Sequence, residues 1–516
     1  MRMTNARPVT VADMLDARDR RAERQKRFLE TSPVLICLTM NIPGPIKAST
    51  EILAAFREGV RRVQSAVGAR PILYEAFTGP EAYVPLNADA EAVKREMCRI
   101  EDEEPLGRLF DLDVLAKNGE KCCRSALGLP PRSCLLCGKP AFECARSRAH
   151  SVPELSKEVS RRIDEWRRET LPERISEAAV RALIREAETT PKPGLVDRRN
   201  NGSHPDMSLE MLLRSARSLK PYFRECARAG MKLEEADAFP TLRALGMEAE
   251  KTMLNATGGV NAHKGAIFSL GLLAASAAAC LRSFEADAEK ICARAGRMAA
   301  PHMEAHFRSL RAETAGSFGD RLYLETGLRG ARGEAADGFP SVLRIALPAL
   351  DADMLGSPMK KRETAGSFTT SGYPEEMRGT VENAAAFENP AEMRKTIEDS
   401  VTSDTDAAES TVETKERNEM HGADMQTSTE IDAEELSGAY ALLRLAVEMD
   451  DTTLIRRGGR SRAEASKREI RALLDSGLTR EKVETLDDQF IRENLTIGGC
   501  ADLLACAYFL RAVREI

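Results

Sequence analysis

Residues 257–265, Thr-Gly-Gly-Val-Asn-Ala-His-Lys-Gly, run straight into an uncharged stretch from Ala266 to Leu281. Gly258 and Gly259 free the backbone to turn its N–H groups inward. The helix that follows offers its positive dipole end beside Asn261, His263 and Lys264, a combination suited to a polyanion such as a nucleoside triphosphate. Taken alone, the same residues are more commonly just a helix-capping turn. Similar clusters recur: Thr190-Pro-Lys-Pro-Gly-Leu-Val-Asp-Arg198 with Gly202-Ser-His204, Arg332-Gly-Glu-Ala335, Asp450-Asp-Thr-Thr453 with Arg457-Gly-Gly459, and Gly498-Gly-Cys-Ala-Asp502. Together they supply carboxylates, cations and backbone nests, a repertoire that suits a nucleotide with Mg²⁺ inside a helical bundle.

Two other sets lie nearer the N-terminus. In Gly107-Arg-Leu-Phe-Asp-Leu-Asp-Val114, strand periodicity turns Asp111 and Asp113 to the same face. Two hard oxygen ligands side by side fit Mg²⁺, with triphosphate oxygens completing the shell, and Arg108 is expected to neutralise a leaving pyrophosphate. The alternative is an exposed strand face. Cys134-x-x-Cys137, Cys144 and His150 are candidate zinc ligands, the first pair at knuckle spacing and the later intervals matching no standard finger. Reduced cysteines in a basic loop, among Arg132, Lys139, Arg146 and Arg148, are the competing reading, and the surrounding pattern is not thioredoxin-like.

The elements that must hold these groups fall into two blocks. Residues 9–30 read as a charged helix capped by Thr10, Val34–Thr39 as a buried strand, 50–64 as a helix, and 69–77 and 109–114 as strands. This α+β block spans 1–150. A charged helical linker covers 151–175. Beyond it strand signals almost vanish, and 176–188, 207–229, 241–256, 265–281, 436–449 and 501–513 carry helical spacing. The second block, 176–516, is therefore expected to be all-α, with its functional residues on the loops. It is interrupted by an acidic segment, 360–435, too poor in apolar groups to order itself. Glu313-Thr-Ala-Gly-Ser-Phe318 recurs as Glu363–Phe368, for which we have no functional account.

Here resemblance adds to the residue-level reading. Asn41-Ile-Pro-Gly-Pro-Ile-Lys47, Gly107–Val114 and the run from Arg132 to His150 resemble the holo-acyl-carrier-protein synthase of citrate lyase. That family transfers a phosphoribosyl-dephospho-CoA group to a serine of the lyase's acyl carrier (gamma) subunit and releases pyrophosphate. The resemblance implies a nucleotidyltransferase-like fold. Asp111 and Asp113 would hold Mg²⁺, with Asn41, Lys47 and Arg108 at the substrate. The clusters of the second block, in order over nearly all of 178–513, resemble triphosphoribosyl-dephospho-CoA synthase. That family joins the ribose of ATP to the 2′-hydroxyl of 3′-dephospho-CoA and expels adenine. It implies acid/base or metal roles for Asp197, Glu250, Glu334 and Asp451. Phosphate-side roles fall to Lys192, His263, Lys264 and Arg457, and Gly258, Gly259, Asn261, Gly498 and Gly499 line the substrate. The chain departs from the family pattern at Asn261-Ala-His-Lys264, Asp451-Thr-Thr453, Arg456-Arg-Gly-Gly459 and Thr496-Ile-Gly-Gly-Cys500.

The two resemblances imply a bifunctional transferase that makes and installs the citrate lyase prosthetic group. The alternatives are a holo-carrier synthase with an inactive helical half and a zinc-stabilised adaptor without catalysis. Composition sets the outer limits. Residues 363–435 hold 19 acidic and 5 basic side chains, so a net charge of −6 over 516 residues leaves the remainder at +8. A mildly basic body fits anionic small substrates or an acidic protein partner. Without a basic stripe or interleaved aromatics, nucleic acid is not expected as a partner. Ala266–Leu281 is too short to span a bilayer comfortably, so no membrane is expected either. A charged N-terminus without an apolar core and twelve cysteines point to the reducing cytoplasm.

Overall fold

The structure, a computed structural model, describes residues 7–352 and 436–516. The acidic segment 360–435, expected to be disordered, and the second hexapeptide copy, Glu363–Phe368, lie outside the described residues.

Thr10 caps helix α1 (Val11–Thr31) through a reciprocal capping box with Asp13, and Pro33 separates it from strand β1 (Val34–Met40). Helix α2 (Thr50–Val67), strands β2 (Ile72–Tyr74) and β3 (Glu81–Leu86), helix α3 (Ala90–Asp102) and strand β4 (Phe110–Ala116) follow. The strands form one antiparallel sheet in the order β2-β3-β1-β4. β1 is apolar at successive positions because both sheet faces are covered. Ile36 and Leu38 join Val84, Leu112 and Val114 under α2 and α3, whereas Leu35 and Cys37 pack with Tyr83, Leu115 and Leu29 of α1. Sequence pattern missed β3, which contains Pro85. That residue pairs with Leu35 beyond the end of β2, where a strand position without an N–H is tolerated.

Short helix α4 (Ala141–Ser147) leads to α5 (Val152–Glu188), whose 37 residues start at a Ser151–Glu154 capping box and run through the segment expected as a linker. Its first half adds Val159, Ile163 and Trp166 to the core of the sheet. Its second half adds Leu171, Ile175, Ala179 and Leu183 to a second, larger core.

That core is helical: α6 (Leu209–Ser218), α7 (Lys220–Lys232), α8 (Glu235–Thr257), α9 (Lys264–Arg282), α10 (Ala288–Ser309), α11 (Phe318–Thr326) and α12 (Gly330–Ala336). A π-turn, Val342–Ala346, enters α13 (Leu347–Leu350), and after the segment not described come α14 (436–448), α15 (Thr452–Asp475), α16 (Arg480–Arg492) and α17 (Gly498–Val513). Among the described residues α9 alone is long and apolar enough to cross a membrane, yet it is buried among α5, α7, α8, α10 and α17. An apolar helix surrounded in this way needs no amphipathic stripe.

Small residues let α7 and α9 touch backbone to backbone. A Cβ on Gly230 would lie 2.0 Å from the Ala275 carbonyl oxygen. Gly230→Ala should therefore force the pair apart and destabilise the helical part by about 1–3 kcal/mol. The midpoint of chemical unfolding followed by far-UV circular dichroism checks this, and an unchanged midpoint would refute so close an approach.

Candidate active sites

In the sheet domain, β4 presents Asp111 and Asp113 on the face opposite Leu112 and Val114, opposite Thr39 and Cys37 of β1 respectively. Asp111, Thr39, Asn41, Lys47 and Arg21 line one cavity of about 210 Å³. Lys47 donates from Nζ to the Ile42 carbonyl at 2.5 Å, and burial lowers its pKa from the usual lysine value. Asp111 pairs with Arg132 at 3.0 Å and Asp113 with Lys121 at 2.5 Å. Burial first, and then the Asp113 charge, raise the Asp111 carboxyl above its ordinary range.

Arg108 is placed otherwise than expected. It does not line the cavity; its side chain is buried and donates to the Ser133 carbonyl. Burial and the neighbouring Arg132 push its pKa down to about 10. The cation that pairs with Asp111 is Arg132, to which the sequence reading gave no site role.

Downstream of β4 the chain makes a small hairpin, with Cys134 N–H donating to the Lys139 carbonyl and Ala141 N–H to that of Arg132, both at 2.8 Å. This turn and α4 bring Cys134, Cys137, Cys144 and His150 together, with ligand atoms all within 4.8 Å of one another. Three thiols and an imidazole so arranged form a possible metal site.

In the helical domain the loop after α5 carries Lys192 and Asp197. Lys192 is fully buried, and its Nζ lies 2.6 Å from Glu186 Oε1. Asp197 accepts the Lys192 N–H at 2.9 Å on one oxygen, and the N–H groups of Arg199 and Asn200 at 2.7 and 3.1 Å on the other. Asp487 of α16 grips the same loop through the Gly194 N–H, the Asn200 amide and the Arg199 guanidinium.

Asp451 likewise ties elements together. One oxygen caps α15 by accepting from Thr453 and Leu454, and the other accepts the Cys500 N–H of α17 at 2.9 Å. The Gly498 N–H donates to the Thr453 hydroxyl at 2.9 Å, and a Cβ on Gly499 would lie 3.1 Å from the Asp451 carboxylate.

His263 occupies the N-cap of α9, with Nδ1 2.8 Å from the Ser215 hydroxyl and a buried Nε2 that has no partner among the described residues. His204 bonds Thr496 at 2.9 Å and Arg457 at 3.3 Å, while Arg457 donates to the Ser203 carbonyl. Burial drives both imidazoles down to about 4, assisted by Lys192 at His263 and by Arg457 at His204. Gly258 and Gly259 are left-handed at φ 68° and 95°, but both N–H groups donate to the Leu254 carbonyl, so the pair caps the end of α8, the helix-capping alternative, and leaves neither N–H free for an anion. Asn261 accepts the Lys264 N–H at 3.2 Å. Glu250 and Lys264 form an outer, exposed pair at 2.8 Å. Glu334 accepts from the Ser341 N–H and hydroxyl, and burial still raises its carboxyl above the ordinary value.

Sequence reasoning missed three carboxylates. Asp502 sits so close to the start of α9 that a Cβ on Gly265 would lie 2.0 Å from its Oδ2. Burial first, then Glu186 and Asp451, push its pKa up to about 8. Glu186 and Asp487 lie inside helices whose patterns gave no hint of a site. Asp502 did stand in a glycine cluster and was the legible one of the three.

Two sites of this kind, each pairing carboxylates with cations and built on a separate core, define a transferase with two activities once the family matches are added. Residues 9–166 match the CitX family model, apo-citrate lyase phosphoribosyl-dephospho-CoA transferase. Residues 172–368 and 421–516 match the CitG family model, ATP:dephospho-CoA triphosphoribosyl transferase. Over 365 residues the chain is 33% identical to Protein CitXG of Haemophilus influenzae, covering 67% of this chain and 77% of the relative. Protein CitXG of Leuconostoc mesenteroides is 32% identical over 362 residues, 66% of this chain and 78% of its own length. The 2-(5''-triphosphoribosyl)-3'-dephosphocoenzyme-A synthase of Haemophilus ducreyi is 38% identical over 233 residues, 40% of this chain and 68% of the relative. The chain belongs to the CitG family and carries a CitX-type domain ahead of it.

Because His204 and His263 are held near 4 against an ordinary 6.5, the folded state binds fewer protons than the unfolded one between those values. Their contribution to stability is complete above pH 6.5 and is lost as pH falls toward 4. Asp502, raised from 3.8 to about 8, acts in the opposite sense, so the comparison must be between variants. His204→Gln/His263→Gln should lose less stability than wild type on acidification through that window, measured by urea unfolding. Equal pH profiles would contradict the buried, neutral imidazoles.

Proposed function

We propose that the helical domain makes 2′-(5″-triphosphoribosyl)-3′-dephospho-CoA from ATP and 3′-dephospho-CoA, and that the sheet domain transfers it to a serine of the acyl carrier subunit of citrate lyase. The observation that carries this reading is the division of labour between two cores. One presents Asp111 at a cavity with Asp113 on the same strand face, and the other buries Lys192 against Glu186, whose charge with that of Asp451 adds to burial in raising the pKa of Asp502.

In the sheet domain, which we read as nucleotidyltransferase-like, the paired carboxylates fit Mg²⁺. They share a strand face, and burial together with the Asp113 charge raises the cost of ionising Asp111, a crowding that a divalent cation relieves. When bound, Mg²⁺ would neutralise the phosphate charge that builds up as pyrophosphate leaves. Lys47 and Arg21 stand on the cavity wall to hold phosphate oxygens, and Asn41 offers an amide beside them. The carrier serine oxygen bonds to the α-phosphorus as the bond to pyrophosphate breaks, and catalysis is positioning plus charge neutralisation.

In the helical domain a bond forms between the 2′-hydroxyl oxygen and ribose C1 while the bond to adenine breaks. The hydroxyl proton must pass to a base, and adenine must gain one. Asp197 and Asp451 use their oxygens on backbone N–H groups and so hold the loops in place. Glu334, with its raised pKa, is our choice for the hydroxyl proton. Lys192, Lys264 and Arg457 supply positive charge for the triphosphate, with Asn261 and the Gly498-Gly499 turn around it. Lys264 would exchange Glu250 for phosphate. A cytoplasmic setting accords with twelve cysteines kept as thiols.

Asp111→Asn/Asp113→Asn should slow carrier modification roughly a hundred- to thousand-fold and leave adenine release intact. Glu334→Gln should do the reverse, keeping transfer of premade precursor. Adenine chromatography and carrier intact mass read the two steps separately. Loss of both steps in either variant, with unfolding midpoints unchanged, would sink the assignment of one step to each domain. Absence of adenine release from wild type would leave only the holo-carrier synthase reading.

A further inference from the structure

Residues 117–150 form a segment whose order needs a cause. Its only buried apolar side chains are Leu127 and Cys144. Its regular structure amounts to α4, a 3-10 turn at Ser125–Leu127 and bridges at Leu115–Lys121 and Ser133–Pro140. So little burial does not offset the entropy of ordering the chain, and small segments of this kind are commonly stapled by a metal.

The staple is in view. Cys137 Sγ lies 3.4 Å from Cys144 Sγ and 3.4 Å from His150 Nε2, with Cys134 in the same cluster. Thiolates about 2.3 Å from a tetrahedral zinc stand about 3.8 Å apart, whereas a disulfide needs about 2.05 Å. Three thiols with one imidazole make a closed Cys₃His set, without the open position that zinc chemistry uses.

The cluster also joins parts that matter to transfer. Two residues before Cys134, Arg132 reaches Asp111. Arg108 and Arg162 donate to the Ser133 and Leu135 carbonyls on either side of the first ligand. His150 immediately precedes Ser151, the cap of α5. We propose that Cys134, Cys137, Cys144 and His150 bind one structural Zn²⁺ that fixes the Arg132 loop against Asp111 and the start of α5. The ion takes no part in the chemistry. It acts through Arg132, a positioning residue for the transfer site.

The consequence for activity rests on the function proposed above; metal binding does not, so the two can fail separately. Protein purified without chelator should contain about one zinc per chain by plasma mass spectrometry, lost in Cys137→Ser and retained in Asp111→Asn. In Cys137→Ser and His150→Ala, transfer of premade precursor should fall roughly tenfold or more, with adenine release within about twofold of wild type. Zinc-free wild type from zinc-supplemented cells, a Cys137–Cys144 disulfide by mass, or zinc retained in Cys137→Ser would overturn the site. Zinc loss without any fall in transfer would overturn its positioning role.

Discussion

Everything else in the molecule depends on α5 belonging to two cores at once. Val159, Ile163 and Trp166 complete the sheet domain, and Leu171, Ile175 and Leu183 begin the helical one. Each such side chain contributes about 1.5–3 kcal/mol when fully buried, so neither half of the helix is free to melt without cost to its domain. At the junction Arg167 stacks 3.8 Å over the Phe284 ring and donates to the Leu281 carbonyl at the end of α9, while Arg282 pairs with Asp164 at 3.2 Å. Shared packing of this kind gives one chain two sites without a flexible tether. It raises the local concentration of the intermediate, although direct channelling does not follow from it.

The helical site shows how buried charge is made tolerable. Lys192 is compensated by Glu186, Asp487 by an arginine, an amide and a backbone N–H, and Asp451 by four donors on three residues. Carboxylates saturated by backbone N–H groups work as fasteners for loops. Asp502, pushed by burial to about 8, is placed to exchange a proton near neutrality, and burial also raises Glu334 above its ordinary value. His263, with Nε2 unpartnered among the described residues, stands at the positive end of α9.

How much of this was legible in the sequence follows from which forces are local. Period two put Asp111 and Asp113 on one face, and Thr10 marked the cap of α1. The glycine pair at 258–259 marked a turn, which proves to be the cap of α8. What sequence could not give was long-range. Glu186, Asp487 and Asp502 sit at helical positions that become a site only when α5, α16 and α17 pack. Arg108 and Arg132 look interchangeable as sequence, but a 3-10 turn at Gly107–Leu109 buries the first and a hairpin delivers the second. The cysteine intervals fit no standard finger, and it is α4 and the residue before the α5 cap that bring Cys144 and His150 to the first pair.

The most direct test of a single chain that both makes and installs the group is the intact mass of apo acyl carrier subunit after incubation with this protein, Mg²⁺, ATP and 3′-dephospho-CoA. We expect a gain of one phosphoribosyl-dephospho-CoA unit, with adenine and pyrophosphate released in equal amount. An unchanged carrier mass, in a mixture where an active pair of separate enzymes does modify it, would contradict the account.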